Sequence, residues 1–326
     1  MNMKMLWAIV LSAGLPLLLT PFVIKLAWMV GAVDVPRDWR RMHHVSVPRI
    51  GGIAIYTGFA VGCMVLGKIP PLLSCTLSGG ALMLAVGLAD DLFCLGAWSK
   101  LVFQIIAATA AVLGSGIFSG WNALLPILWV LALTNAHNFI DGLDGLFAGC
   151  AAIEGGFLAL TFLLSGRGAG LPPLLLSLSC VCFRAFNRHP AKIFAGDCGS
   201  GSVGFALGML SLPLLLESLG TVGILTPILI FAYPLVDLIA AVLRRLLRGK
   251  SPFSADRGHL HHRICAVGLS QVACGRLLLS VCAVLGFAGT LLCTEDLYLP
   301  CAMVCLAAAL WMMQIRRFVV DFRSMG

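Results

Sequence analysis

The sequence predicts an all-α, polytopic integral membrane protein, and three observations carry that prediction. Apolar residues make up 60% of the 326 positions and charged residues only 11%, against about 25% charged in an average soluble domain. Mean hydropathy is +1.00. The apolar residues fall in successive runs of near-spanning length, and short polar segments between them hold most of the charge. At about 20 residues per spanning helix the chain accommodates about 11 spans, or 10 to 11, with no room for a sizeable soluble domain. Residues 1–326 are therefore expected to form a single transmembrane domain. The 36 glycines and 15 prolines follow no repeat, which excludes collagen-like and solenoid chains.

The runs lie near 6–24, 51–67, 72–88, 101–118, 121–134, 147–165, 171–183, 202–217, 222–242, 273–293 and 298–315. From Met1 to Lys25 the apolar stretch is too long for a signal-peptide core and lacks a small-residue cleavage site, so it is expected to remain as the first helix. Almost no loop joins the pairs around Lys68–Pro71 and Ser119–Gly120, where helix boundaries are least defined by sequence. With the N-terminus outside, all of the 22 basic residues except Lys4, Lys68 and Arg167 fall on the inner side. Such a bias is the positive-inside signal of a cytoplasmic face. It also accounts for the excess of Lys and Arg over the 14 acidic residues without invoking a nucleic acid partner. The 13 cysteines form no CxxC pair; Cys63, Cys75, Cys150, Cys282 and Cys305 sit in apolar runs and read as small buried hydrophobes.

The same topology sorts the polar chemistry. Five inner loops, near 31–50, 89–100, 135–146, 184–201 and 243–272, hold Asp90, Asp91, Asp141, Asp144, Asp197 and all seven histidines. Adjacent carboxylates such as Asp90 and Asp91, closing the third helix, are costly at a membrane surface unless a cation or a substrate proton satisfies them. Mg²⁺ is the natural candidate, because it takes carboxylate and phosphate oxygens together. In the segment NAHNFIDGLDGL, from Asn135 to Leu146, the groups Asn138, Asp141 and Asp144 recur every third residue and share one side of a helix or turn. Its glycines let backbone approach a ligand.

The segment FAGDCGSGS, from Phe194 to Ser202, precedes the eighth run. Free backbone N–H groups at a helix N-terminus favour a phosphate, and Asp197 is placed to hold the metal that bridges it. DRGHLHHR, from Asp256 to Arg263, puts three histidines between two arginines. With no acidic or thiol partner close in sequence, an anion-binding cluster is favoured over zinc. Glu154 and Asp237 lie inside expected helices, where an ionisable group is a functional candidate, although for Asp237, within two turns of Arg244, simple pairing with that arginine is the alternative. Arg49, ahead of Gly51 and Gly52, either approaches a phosphate or simply starts the second helix.

These motifs, in this order, resemble the signatures of the polyprenyl-phosphate N-acetylhexosamine-1-phosphate transferases, the glycosyltransferase 4 or MraY–WecA type. The resemblance runs from VPRIGG at 47–52 to Arg263. It implies a bacterial cytoplasmic (inner) membrane enzyme that moves a sugar-1-phosphate from a UDP-N-acetylhexosamine to polyprenyl (undecaprenyl) phosphate, releasing UMP. Mg²⁺ is the implied cofactor, with Mn²⁺ as a substitute, and a homodimer is compatible with it. Residue by residue, Asp90, Asp91, Asp141 and Asp144 match the catalytic aspartates, and Asp197, with Asp91, the metal site. Lys100, Asn138, Phe194, Ser200, His259, His261 and His262 match substrate-binding positions, Phe194 packing on uracil and the histidines lying at the pyrophosphate. HLHH after Asp-Arg resembles the WecA-type branch, as does DDLFCLGAWSK, which lacks the longer lysine-containing segment of the MraY type. Departures are Phe147 where alanine is usual and Val203 where leucine is.

The expected reaction is thus transfer of N-acetylhexosamine-1-phosphate, GlcNAc-1-phosphate foremost, that begins a lipid-linked cell-envelope glycan. An MraY-type phospho-MurNAc-pentapeptide transferase is the alternative within the family. A secondary transporter is the alternative from another class, but transporters place sites near the midplane, often between repeated halves, whereas these carboxylates gather at one face.

Overall fold

The computed structural model describes residues 2–35, 46–217, 224–251 and 258–293. The expected helix at 298–315, together with His43, His44, Asp256 and Arg257, lies outside the described residues.

Helix α1 (Met3–Val30) starts where the Asn2 side chain accepts the Lys4 N–H at 3.3 Å and ends at Gly31, whose φ of 75° is open to glycine. A two-residue antiparallel ribbon follows, β1 (Val33–Asp34) on β2 (Val47–Pro48), with Val33 opposite Pro48. It leads the chain into α2 (Gly52–Val65). Next come α3 (Pro71–Phe93), α4 (Ala97–Gly114), α5 (Leu124–Ile140), α6 (Leu146–Leu164) and α7 (Leu171–Asn187). The remainder is α8 (Gly196–Glu217), α9 (Leu225–Ile230), α10 (Ala232–Leu247), α11 (Leu260–Ala266) and α12 (Gln271–Leu291).

Among the described residues, seven helices are long and apolar enough to cross a membrane: α1, α3, α4, α5 with its preceding turn, α6, α8 and α12. Helices α2 and α7 are shorter apolar helices. Large apolar side chains such as Leu18, Phe22, Val102 and Ile106 face outward, as they do where lipid is the solvent. The chain is an all-helical, multi-pass membrane protein.

Helix α8 is the axis of the bundle, with 83% of its most apolar window buried. Its glycines allow that position: a Cβ on Gly204 would meet the Leu133 carbonyl of α5 at 2.8 Å. On α3, a Cβ on Gly87 would meet Asp197 O and Cys198 Cα at 2.4 Å, so α3 lies directly against the first turn of α8. Close backbone approach through small residues is how helices associate where burial from water contributes little.

Three expectations change. The third helix is longer than its apolar run at 72–88: α3 continues to Phe93, so that Asp90 and Asp91 close it from within its last turn, and it stops where Cys94 adopts φ 54°; the loss of hydropathy at the aspartates carries no backbone break. Likewise α5 runs through Asn138 to Ile140, and α8 starts at Gly196, six residues before the apolar run. The run at 222–242 is not one helix. It divides at Phe231 into α9 and α10, where Pro234 removes the N–H that would have bonded the Ile230 carbonyl.

Candidate active site

Helix ends build the site. Asp90 and Asp91 lie in the last turn of α3, Lys100 in the first turn of α4, Asn138 in the last turn of α5, and Asp197 in the first turn of α8. Lys100 Nζ donates to Asp90 Oδ2 at 2.7 Å and to Asp197 Oδ2 at 2.9 Å. One ammonium thus links carboxylates 107 residues apart in sequence on α3 and α8. A cavity between α3, α4, α5 and α8 is lined by Met83, Val86, Lys100, Gln104, Asn138 and Asp197, apolar on the α3 side and polar toward the helix ends.

The two members of the aspartate pair face different ways, as neighbours on a helix must. Asp91 Oδ1 accepts the Asp197 N–H at 3.2 Å and its Oδ2 accepts the Cys198 N–H at 3.1 Å. Arg49 Nε lies 3.7 Å from Asp91 Oδ1, and Arg49 Nη2 donates to the Asp91 carbonyl. Asn138 Oδ1 accepts the Ser200 hydroxyl at 2.8 Å, and that hydroxyl also reaches Gly196 O at 3.0 Å. Asp141 ends α5. Its burial, with the Asp197 and Asp91 carboxylates facing it, pushes its carboxyl well above the usual range, and a hydrogen bond from the Gly196 backbone only partly offsets this.

Segment 47–52 threads beside the start of α8. Phe194 N–H donates to Pro48 O at 2.8 Å, Gly51 N–H to Phe194 O at 3.0 Å, and Gly52 N–H to Ala195 O at 2.8 Å. Gly196 has φ 74°, and a Cβ there would meet Arg49 O at 1.8 Å. Only glycine fits that crossing. Phe194, half-buried, is fixed by this pairing just ahead of Asp197.

The histidines join the site from α11 and the residue before it. Asp237 on α10 accepts the His259 ring at 2.8 Å and the Leu260 N–H at 2.8 Å, so it pairs with His259 in addition to lying near Arg244. Phe139 meets His259 edge-on at 5.0 Å, while the Arg245 guanidinium lies 5.0 Å from the centre of the Phe139 ring. His261 stacks on His259 and touches His262, with ring centres 5.8 and 4.2 Å away. Both ring nitrogens of His261 are buried without a hydrogen-bond partner among the described residues, and Gly142 packs against its Nε2. Burial, then the neighbouring His262 and His259, lower its pKa to about 3.

Asp144 stands apart from the other carboxylates. Its Oδ2 accepts His189 Nδ1–H at 2.8 Å and the Ala191 N–H at 3.1 Å, which ties the DGLDG turn to the segment before Phe194. Sequence reasoning missed His189 and left Arg49 undecided. Glu154 is outside the site: it bonds His137 at 2.6 Å with both side chains fully buried. Cys63, Cys150 and Cys282 are free and buried, Cys75 is free and half-buried, and Cys305 lies outside the described residues.

Hard oxygen donors at Asp197 and Asn138, both lining the cavity, fit Mg²⁺, which is ordinarily held by one or two carboxylates and completed by substrate phosphates and water. Among the described residues no three His, Cys, Asp or Glu side chains form a ready cage.

Fold and site together define a multi-pass membrane protein whose helix ends converge on a pocket lined by Lys100, Asn138 and Asp197. The chain belongs to glycosyl transferase family 4, whose family model matches residues 73–214. It is 37% identical over 302 residues to the probable undecaprenyl-phosphate N-acetylglucosaminyl 1-phosphate transferase of Bacillus subtilis, covering 86% of this chain and 81% of the relative. A decaprenyl-phosphate N-acetylglucosaminephosphotransferase of Mycolicibacterium smegmatis is 35% identical, covering 77% and 73%. The undecaprenyl-phosphate alpha-N-acetylglucosaminyl 1-phosphate transferase of Escherichia coli strain K12 is 28% identical, covering 83% and 79%.

Proposed function

We propose that this chain transfers N-acetylglucosamine-1-phosphate from UDP-N-acetylglucosamine to undecaprenyl phosphate, releasing UMP, as one transmembrane catalytic domain of a bacterial inner membrane. The observation that carries the reading is the convergence of Asp90, Lys100 and Asp197 beside a cavity that is apolar on one side. A lipid phosphate and a nucleotide diphosphate are the pair of substrates that such a site can bring together. Arg184, Arg188, Lys192, Arg244 and Arg248 belong to the segments at this end of the bundle, which supports a cytoplasmic active site by the positive-inside rule.

Phosphoryl transfer needs positioning and charge neutralisation above all. A lipid phosphate oxygen attacks the β-phosphorus of the donor, the one bonded to the sugar oxygen, and the bond from that phosphorus to the bridging oxygen breaks as UMP leaves. Lys100 neutralises charge on the diphosphate. Asp90, held by Lys100, orients the lipid phosphate and takes its proton when the monoanion binds. Asp197, with Asn138 beside it, would hold Mg²⁺, which supplies charge neutralisation across the diphosphate. Phe194 stacks on the uracil, and the Asp237-oriented His259 with His261 and His262 lines the diphosphate. A double displacement through an aspartyl-phosphate, which the lipid phosphate then attacks, is the competing route.

Transfer of label from UDP-[¹⁴C]GlcNAc into an organic-extractable lipid by the purified full chain, supplied with undecaprenyl phosphate, tests the reading. Label in lipid that acid returns as GlcNAc-1-phosphate or GlcNAc supports it; uptake of label into vesicles without lipid product contradicts it.

A further inference from the structure

We infer that Arg49 and Asp91 form a positioning unit that fixes the first turn of α8, so that Asp91 acts through Asp197 rather than on substrate or metal itself. The inference rests on the reading above only in placing Asp197 at the reacting phosphates.

A helix leaves its first amides without intrahelical partners. In α8 two of them, those of Asp197 and Cys198, are taken up by a carboxylate on another helix: one to each oxygen of Asp91. The negative charge also lies at the positive end of the α8 dipole. Gly87, four residues before Asp91 and therefore on the same face of α3, lets the α8 backbone come close enough for these bonds.

Arg49 locks the arrangement from the other side. Its guanidinium contacts both the carboxylate and the main-chain carbonyl of Asp91, while its own carbonyl lies against Gly196, the first residue of α8. A single residue of segment 47–52 therefore grips the end of α3 and abuts the start of α8.

Exposure separates the two carboxylates that the sequence assigns to the metal. The Asp91 side chain is 3% exposed and the Asp197 side chain 30%. Only Asp197 is open to a ligand, and it is Asp91 that aims it.

Hydrogen exchange of the metal-free full chain in detergent tests this, because it reads the α8 amides without requiring turnover. Asn in place of Asp91 keeps one acceptor but sets an amide N–H against the other α8 donor. In Asp91→Asn and Arg49→Met, exchange across residues 195–200 is expected to rise about tenfold or more, reflecting local opening. Asp197→Asn leaves the same amides protected, since its backbone N–H still donates. Unchanged exchange in a folded Asp91→Asn protein would overturn the proposal. Arg49→Lys is the gentler variant if that protein does not fold. It is expected to lower kcat about tenfold through misplacement of Asp197, with KM for the UDP-sugar within about twofold of wild type. A raised KM at unchanged kcat would also overturn the proposal, by making Arg49 a substrate ligand. Should the wild-type protein release no UMP from any donor, the functional reading fails, and the exchange result still decides whether Arg49 and Asp91 hold α8.

Discussion

Lys100 Nζ lies 2.9 Å from Asp197 Oδ2, and the same ammonium reaches Asp90 at 2.7 Å. Without that charge, two carboxylates converging on a partly buried space would lose the cation they share. Lys100→Met is therefore expected to lower kcat/KM for UMP release by about 10²-fold or more, the range for removal of a preorganised charge partner. Lys100→Arg should recover part of it. Equal activity in Lys100→Met and wild type would remove Lys100 from the site.

Asp197 donates its backbone N–H to Asp91, lines the cavity and has a side chain that is 30% exposed. Asp197→Asn should thus leave thermal unfolding near that of wild type while turnover falls about 10²- to 10³-fold. Mn²⁺ binding in the presence of UDP, followed by electron paramagnetic resonance, should be lost in the same variant. Normal Mg²⁺-dependent turnover would withdraw the metal assignment.

Phe194 is held through its backbone by Pro48 and Gly51, so removing its ring need not disturb the loop. Base stacking on an aromatic side chain is worth about 1–3 kcal/mol. Phe194→Ala is expected to raise KM for the UDP-sugar about tenfold with a smaller change in kcat. An unchanged KM would mean that the ring packs against protein and not against uracil.

His261 gives the pH dependence. Its folded pKa is lowered to about 3 by burial and by His262 and His259, so between that value and the unfolded value of about 6.5 the unfolded chain binds the extra proton. Stability from this residue is complete above about pH 6.5 and is lost as the pH falls, by up to about 1.4 kcal/mol per pH unit. Unfolding midpoints of wild type and His261→Asn between pH 7.5 and 5 provide the test. The wild-type curve should fall more steeply; parallel curves would show that His261 is free to take its proton when folded.

Much of this was legible in the sequence because composition and periodicity report burial. Runs of apolar residues located the cores of α1 to α8 and α12, and charge placed Asp90, Asp91, Asn138, Asp141, Asp197 and the cluster His259, His261 and His262 together. Helix ends were less legible. Hydropathy drops at Asp90 and at Ser200, yet the backbone hydrogen bonds continue through both, since a helix needs a breaker to stop and not merely a polar residue. Partner choice was the least legible. Asp237 is near Arg244 in sequence but bonds His259, 22 residues away; Asp144 shares a stripe with Asp141 yet turns to His189; and Arg49 gains its role only once α3 and α8 meet. Such pairings are set by how helices pack, and no local period encodes them.

The most direct test of the central claim is UMP release by the purified full chain in detergent, given undecaprenyl phosphate, Mg²⁺ and a panel of UDP-N-acetylhexosamines, with matched reactions in EDTA. The account predicts UMP from UDP-N-acetylglucosamine that requires both the lipid phosphate and the metal. Folded protein that releases no UMP across the panel, or releases it equally without lipid and in EDTA, would contradict it.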